Sequence, residues 1–139
     1  MWLRMLKSTR RVESQLRERL RKEFATTLPR FDVMAALARY EDGLNMSTLS
    51  DMLRVSNGNV TGIVDRLVQE GLVIRVQDQR DRRSMRVRLT GNGRTAFAAQ
   101  APAHETWIDE LLADFTPAEA LAFAEQFDVV AKEYREKSR

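Results

Sequence analysis

Between Val60 and Leu89 the hydrophobic period of this chain changes once, and that change limits the folds open to it. Val60, Ile63, Val64, Leu67 and Val68 recur at the spacing of one buried helical face, which Gly71 brings to an end. Residues 72–76 then read as a strand. In 84–89, Met85, Val87 and Leu89 alternate with Ser84, Arg86 and Arg88, the pattern of a half-buried return strand. A polar, turn-like centre at 77–83 joins the two, so a short helix feeds straight into a hairpin. From Arg75 to Arg88 that hairpin carries six arginines and two aspartates, a local charge of +4 against +3 for all 139 residues. An arginine-studded ribbon placed there implies nucleic-acid affinity.

The segment before it supports the same reading. Ser47 can cap a short helix carrying Leu49, Met52 and Leu53, and Ser56-Asn57-Gly58 reads as a turn. Two short helices about a glycine-containing turn, the second amphipathic, make a helix-turn-helix. The second helix leaves Gly58, Thr61, Gly62, Asp65 and Gln69 outward. A helical glycine costs about 1 kcal/mol relative to alanine. Two on one face therefore suggest close approach by a partner such as DNA, although a turn at Gly58 and a packing accident at Gly62 would look the same. Asn57, Asn59, Thr61 and Gln69 are placed to reach base edges or phosphates. Arg80, Arg82 and Arg83 at the hairpin tip suit a narrow minor groove. Asp78 and Asp81 would hold those arginines through bidentate pairs. A plain solvated hairpin is the alternative.

Elsewhere the chain reads as helical. A first helix runs to Phe24 on Met5, Val12, Leu16 and Leu20. A second starts at Pro29 with an apolar stripe of Phe31, Met34, Ala35 and Ala38. Thr90-Gly91 opens a long helical region in which Pro102 predicts a kink or break. Thr116-Pro117-Ala118-Glu119 is a capping box opening a last helix with Phe123, Phe127, Val130 and Tyr134. The expected fold is mainly α with a small β-wing. With 43% hydrophobic residues, one domain over 1–139 is expected.

Charge is uneven along the chain: +5 over residues 1–23, −2 over 24–74, and −4 over 89–139. The basic start and the acidic end can lie near each other, although solvated faces give similar counts. Several functions are disfavoured. There is no cysteine and one histidine, His104, so thiol chemistry and a histidine metal site within one chain are excluded. No nucleophile–base pair and no phosphate-binding glycine loop appears, so neither an enzyme nor a cofactor is expected. No signal peptide or membrane span is read, which implies a cytoplasmic protein.

Taken together, LSDMLRVSNGNVTGIVDRLVQEGLV and DQRDRRSMRVRLTGNGR resemble the MarR family of bacterial transcriptional regulators, above all at Asp81-Arg82-Arg83 and Leu89-Thr90-x-x-Gly93-Arg94. The resemblance implies a winged helix-turn-helix plus a helical dimerisation region. Residues 1–28 and 101–139 would form a homodimer interface, and 29–100 the lobe that grips a pseudo-palindromic DNA operator. It also implies that Asp65 braces the wing through an arginine, with Arg83 the best partner and Asp81 assisting. Gly62 departs from the bulkier, often basic residue of many members.

Within the family, TTLPRFDVMAAL, SNGNVTGIVDRL and HETWI look like the subgroup answering to hydroxycinnamoyl-CoA or other aroyl-CoA thioesters. That implies a repressor of aromatic-acid catabolic genes, released from its operator by the thioester. Met34, His104 and Trp107 can line an aryl slot; Arg30, with Arg11, Arg17 or Arg21, can meet the phosphates. Ordinary core roles for Met34 and Trp107, and a polar cap for His104, fit the same residues. A repressor sensing free phenolic acids or lipophilic drugs, or a DNA-binding protein without effector, remains the alternative.

Overall fold

The computed structural model describes residues 1–53 and 59–137, the last five of these by backbone alone. The elements run α1 (Trp2–Phe24), α2 (Leu28–Ala38), β1 (Leu44–Asn45), α3 (Met46–Met52), α4 (Val60–Gln69), β2 (Val73–Gln77), β3 (Met85–Leu89), α5 (Gly91–Leu111) and α6 (Pro117–Lys137). The chain is mainly helical with one small sheet. It divides into two compact units, residues 1–107 and 108–139.

In the first unit, α1 ends where Ala25 turns left-handed and its N–H reaches the Arg21 carbonyl. Thr27 then caps α2, its hydroxyl oxygen accepting the Arg30 N–H at 3.3 Å, with Pro29 in the first turn. α2 is the pillar of the lobe, with Leu28, Phe31, Val33, Met34, Ala36 and Leu37 all buried. The expected stripe described only one side of it. Ala35 and Ala38 are half-buried, because α1, α3, α4 and β3 all pack against this helix. Around α2 the core joins Leu44, Leu49, Leu53, Val60, Val64, Leu67, Val73, Val87 and Leu89.

The expected hairpin is present, and a two-residue strand is added to it. Sheet order is β1-β3-β2, antiparallel throughout, with Val73 opposite Leu89, Arg75 opposite Val87, and Leu44 opposite Val87 on the other edge. At Gly43, φ is +81° and an added Cβ would lie 2.3 Å from the Val87 carbonyl oxygen, so the loop is pressed onto the β3 backbone. The cap of α3 is Asn45, not Ser47: its side-chain oxygen accepts the Thr48 N–H at 2.8 Å. Thr90 ties the end of the hairpin to α5. Its hydroxyl donates to the Gly71 carbonyl at 2.6 Å and accepts the Gly93 N–H at 3.0 Å.

Pro102 does not break α5, which runs on to Leu111. Proline removes one N–H, and the carbonyl this orphans belongs to Ala98. Both residues are solvent-exposed, so water can satisfy it.

In the second unit the capping box forms as expected. Glu119 accepts both the backbone N–H and the hydroxyl of Thr116 at 2.9 Å, and Thr116 accepts the Glu119 N–H at 3.3 Å. Phe115 and Phe123 meet edge-on at 5.6 Å. From Pro117 to Lys132 no residue of α6 is buried, and Leu121 and Val130 are 62% and 67% exposed. Among the described residues, no helix is long and apolar enough to cross a membrane.

Candidate nucleic-acid interface

α4 buries Val60, Val64 and Leu67 and presents Thr61, Asp65 and Gln69 to solvent. Its first turn is closed by Asn59, whose carboxamide oxygen accepts the Gly62 N–H at 3.0 Å. This gives Gly62 a packing reason beside the expected one. A Cβ there would stand 2.6 Å from Asn59 Nδ2, so the glycine makes room for the capping amide. Asn59 is accordingly a cap through its carboxamide oxygen. Asn57 and Gly58 lie outside the described residues.

The aspartate brace exists with a different partner. Asp65 pairs with Arg75 on β2, not with Arg83. The reason is reach. β2 follows α4 after a tight turn, whereas Arg83 stands beyond Gln77 in the tip, several residues further along a ribbon rising about 3.3 Å per residue.

The tip aspartates also act differently from expectation. Asp78 accepts the backbone N–H of Arg80 at 2.9 Å, and Asp81 that of Arg83 at 3.0 Å. Each is an Asx turn that fixes the loop rather than a bidentate grip on an arginine side chain. Asp78 N–H to the Ser84 carbonyl (2.9 Å) and Gln77 Nε2 to the Arg82 carbonyl (2.7 Å) complete the tip. Arg80, Arg82 and Arg83 are thereby held on a shaped loop with exposed side chains.

Sequence reasoning singled out no role for Arg86. It lies on β3, opposite Val76 and Asn45. Its guanidinium donates from Nε to the Asp42 carbonyl at 3.2 Å, from Nη2 to the Gly43 carbonyl at 2.6 Å, and from Nη1 to Asp78 Oδ2 at 3.4 Å. The Arg80 N–H, and after it Arg86, holds the Asp78 carboxyl below the usual carboxylate range. A cleft of about 480 Å³ opens over this part of the wing, between Asp42 and the side chains of Val76, Arg80 and Arg88. The two carbonyl partners of Arg86 are 43 and 44 residues away in sequence, so only the fold reveals them.

The candidate effector residues differ in burial and in partners. Met34 is 1% exposed within the central core. Trp107 is buried, its ring 6.2 Å from Phe24 and beneath the Arg19 guanidinium at 5.9 Å. Arg30 makes a fork-on-fork pair with Glu70, which holds that carboxyl below its usual range. His104 is half-buried and stacks on Phe31 at 4.4 Å, and burial lowers its pKa. Arg11 is exposed on α1. Of the set, Arg11 is exposed, and His104 and the paired Arg30 are half-buried.

A three-stranded winged lobe with an exposed helix beside an arginine-tipped ribbon defines a winged helix-turn-helix protein. Residues 26–85 match the MarR family. A MarR family transcriptional regulator from Silicibacter pomeroyi is 33% identical, with TM-score 0.79, covering 95% of this chain and 91% of that one. The chain belongs to the MarR family, whose members are transcriptional regulators rather than enzymes. Sco3205 from Streptomyces coelicolor, solved in complex with DNA, shares the fold at TM-score 0.85 and 22% identity, covering 95% and 84% of the two chains. Among curated proteins, the transcriptional activatory protein BadR of Rhodopseudomonas palustris is 36% identical over 93 residues, 65% of this chain and 53% of its own length. The chain spans between about half and two thirds of the length of the curated relatives it matches.

Proposed function

We propose that this chain works as a homodimer that grips a pseudo-palindromic DNA operator and represses transcription until an effector releases it. The observation that carries the reading is the pre-shaped wing tip. Arg80, Arg82 and Arg83 stand exposed on a loop fixed by Asp78 and Asp81, on the ribbon that Arg75 ties to α4 through Asp65. Arginine on such a tip suits the negative potential of a narrow minor groove, while Thr61 and the amide of Asn59 face a major groove from the start of α4. Gln69, at the far end of the same helix, serves the flanking backbone.

For dimerisation we assign residues 1–28 and 101–139. Met1, Trp2 and Leu3 are exposed on the first stretch, as are Leu121, Phe127 and Val130 on the second. For the effector we propose an aroyl-CoA thioester, its ring against the Phe31–His104 stack and its phosphates near Arg11 and neighbouring cations of α1. The support is the family resemblance together with the half-buried His104 of that stack, Phe31 itself being buried. Whether such a grip represses or activates depends on where the operator lies relative to the polymerase, so an activator among the relatives fits the same machinery.

The test is fluorescence anisotropy on the gene's own promoter, over a salt series and with a panel of coumaroyl-, feruloyl- and benzoyl-CoA and their free acids. Wild type should bind with steep salt dependence, Arg83→Ala should bind at least about tenfold more weakly as an intact dimer, and one thioester should lower affinity. A flat salt response or an unaffected Arg83→Ala protein refutes the DNA reading. Release only by free acids, or by none of the panel, refutes the thioester.

A further inference from the structure

We propose that Arg86 is the positioning residue of the wing, a clamp that fixes the ribbon against the body of the lobe so that the tip arginines arrive in register with DNA. The inference rests on the DNA-gripping reading above and adds to it how the grip is aimed.

The geometry is that of a joint. A wing of two strands is a lever, and its free end carries the contacts. β1, at two residues, supplies little ladder to steady it. Arg86 compensates with its side chain. Its planar fork bonds two successive carbonyls of the α2–β1 loop, Asp42 and Gly43, while its remaining nitrogen meets Asp78 at the base of the tip. One guanidinium therefore touches all three parts that must keep a fixed relation: loop, strand and tip. The same loop is held from beneath, where Gly43 lies against the Val87 backbone so closely that no side chain fits.

Nothing in this arrangement requires Arg86 to touch DNA. Each of its three nitrogens already donates to a protein acceptor, and its side chain is 31% exposed. Lysine cannot replace it: an ammonium is a point charge without the planar fork that reaches two carbonyls and a carboxylate together.

The experiment compares wild type, Arg86→Lys and Arg86→Ala by operator affinity over a salt series and by hydrogen exchange of the unbound proteins. Losing one phosphate contact lowers the slope of log K against log salt by about 0.9. Loss of aim should cost more than the removed charge explains. Both variants should lose about tenfold or more in affinity and about two units of slope, Arg86→Lys included although its charge is kept. In unbound protein, amides of residues 43–45 and of the wing strands should exchange faster in both variants, with α4 protection unchanged. Wild-type affinity in Arg86→Lys overturns the proposal, and so does unchanged exchange at 43–45. If wild type itself shows no salt-dependent DNA binding, the functional reading fails, and the exchange arm alone still decides the clamp.

Discussion

Gly62 offers the sharpest separation between a structural and a functional reason for one residue. Asn59→Ala removes the cap of α4 and should cost about 1 kcal/mol. Gly62→Ala should gain up to about 1 kcal/mol in helix propensity. In the native protein that gain is offset, because the new Cβ falls 2.6 Å from Asn59 Nδ2 and must push the carboxamide off the Gly62 N–H. The net change with Asn59 present should be near zero. With alanine at 59 no amide remains to be displaced, and the same substitution should stabilise by about 1 kcal/mol. The double-mutant cycle therefore predicts a coupling of about 1 kcal/mol, well above the roughly 0.3–0.5 kcal/mol scatter of independent sites. Urea unfolding followed by circular dichroism measures it, at one protomer concentration because the apparent stability of a dimer depends on concentration. Equal gains in both backgrounds would refute the argument. Lost operator binding in both backgrounds with intact stability would return Gly62 to the role of admitting DNA.

Asp32 is pushed up to about 6, chiefly by burial and then by Glu13, with Arg17 opposing. A folded-state pKa above the unfolded one adds stability that is complete below about pH 4 and is lost as pH rises through about 6. Asp32→Asn should therefore flatten stability between pH 4 and 7 and stabilise at pH 7.5 by on the order of 1 kcal/mol, the full shift being discounted for a group that is partly solvated; an unchanged pH profile of urea midpoints would contradict this. Asp81→Asn keeps an oxygen for the Arg83 N–H and removes a charge facing phosphate, so it should bind operator about two- to fivefold more tightly at low salt, while Asp81→Ala, which loses the turn, should bind more weakly than wild type. Equal affinities of the two variants would show that the turn does not matter.

What could be read from the sequence was what is local. The stripe from Val60 to Val68, the alternation on either side of the wing tip and the capping box at Thr116 each complete their signal within a few residues, and each element stands as expected, with boundaries displaced by a residue or so. β1 was not legible because two residues carry no period. Asn45 and Ser47 are both good caps, and only the chain path chooses between them. The site residues divide the same way. Exposure of Arg80, Arg82 and Arg83 follows from a polar turn, but a guanidinium's partner does not. Arg30 finds Glu70 across 40 residues and Arg86 finds Asp42 across 44. Met34 and Trp107 have the composition of a ligand slot, yet Met34 is taken up by the central core and Trp107 is buried against Phe24 and Arg19 of α1.

The charge surplus of the wing is accordingly not one uniform attraction. Arg75 and Arg86 are committed to carboxylates and carbonyls below the tip, while the aspartates that face them or turn the loop cancel part of the field DNA would feel. As a magnet for phosphate this is wasteful; as a way of ordering the tip it is coherent. Binding to a groove costs the immobilisation of each long side chain and of the loop beneath it, about 0.5–1.5 kcal/mol per side chain. A loop already held by two Asx turns, and two strands each held by an arginine, have met the backbone share of that cost in advance. The repulsion from the exposed Asp81 is screened within about 10 Å at ordinary salt, and the charge of the half-buried Asp78 is offset by Arg86, whereas the turns they make are not weakened by salt. On the proposed reading, the turns these carboxylates make favour affinity even though their charge opposes it, and Arg75 and Arg86 would set where the tip arginines meet DNA.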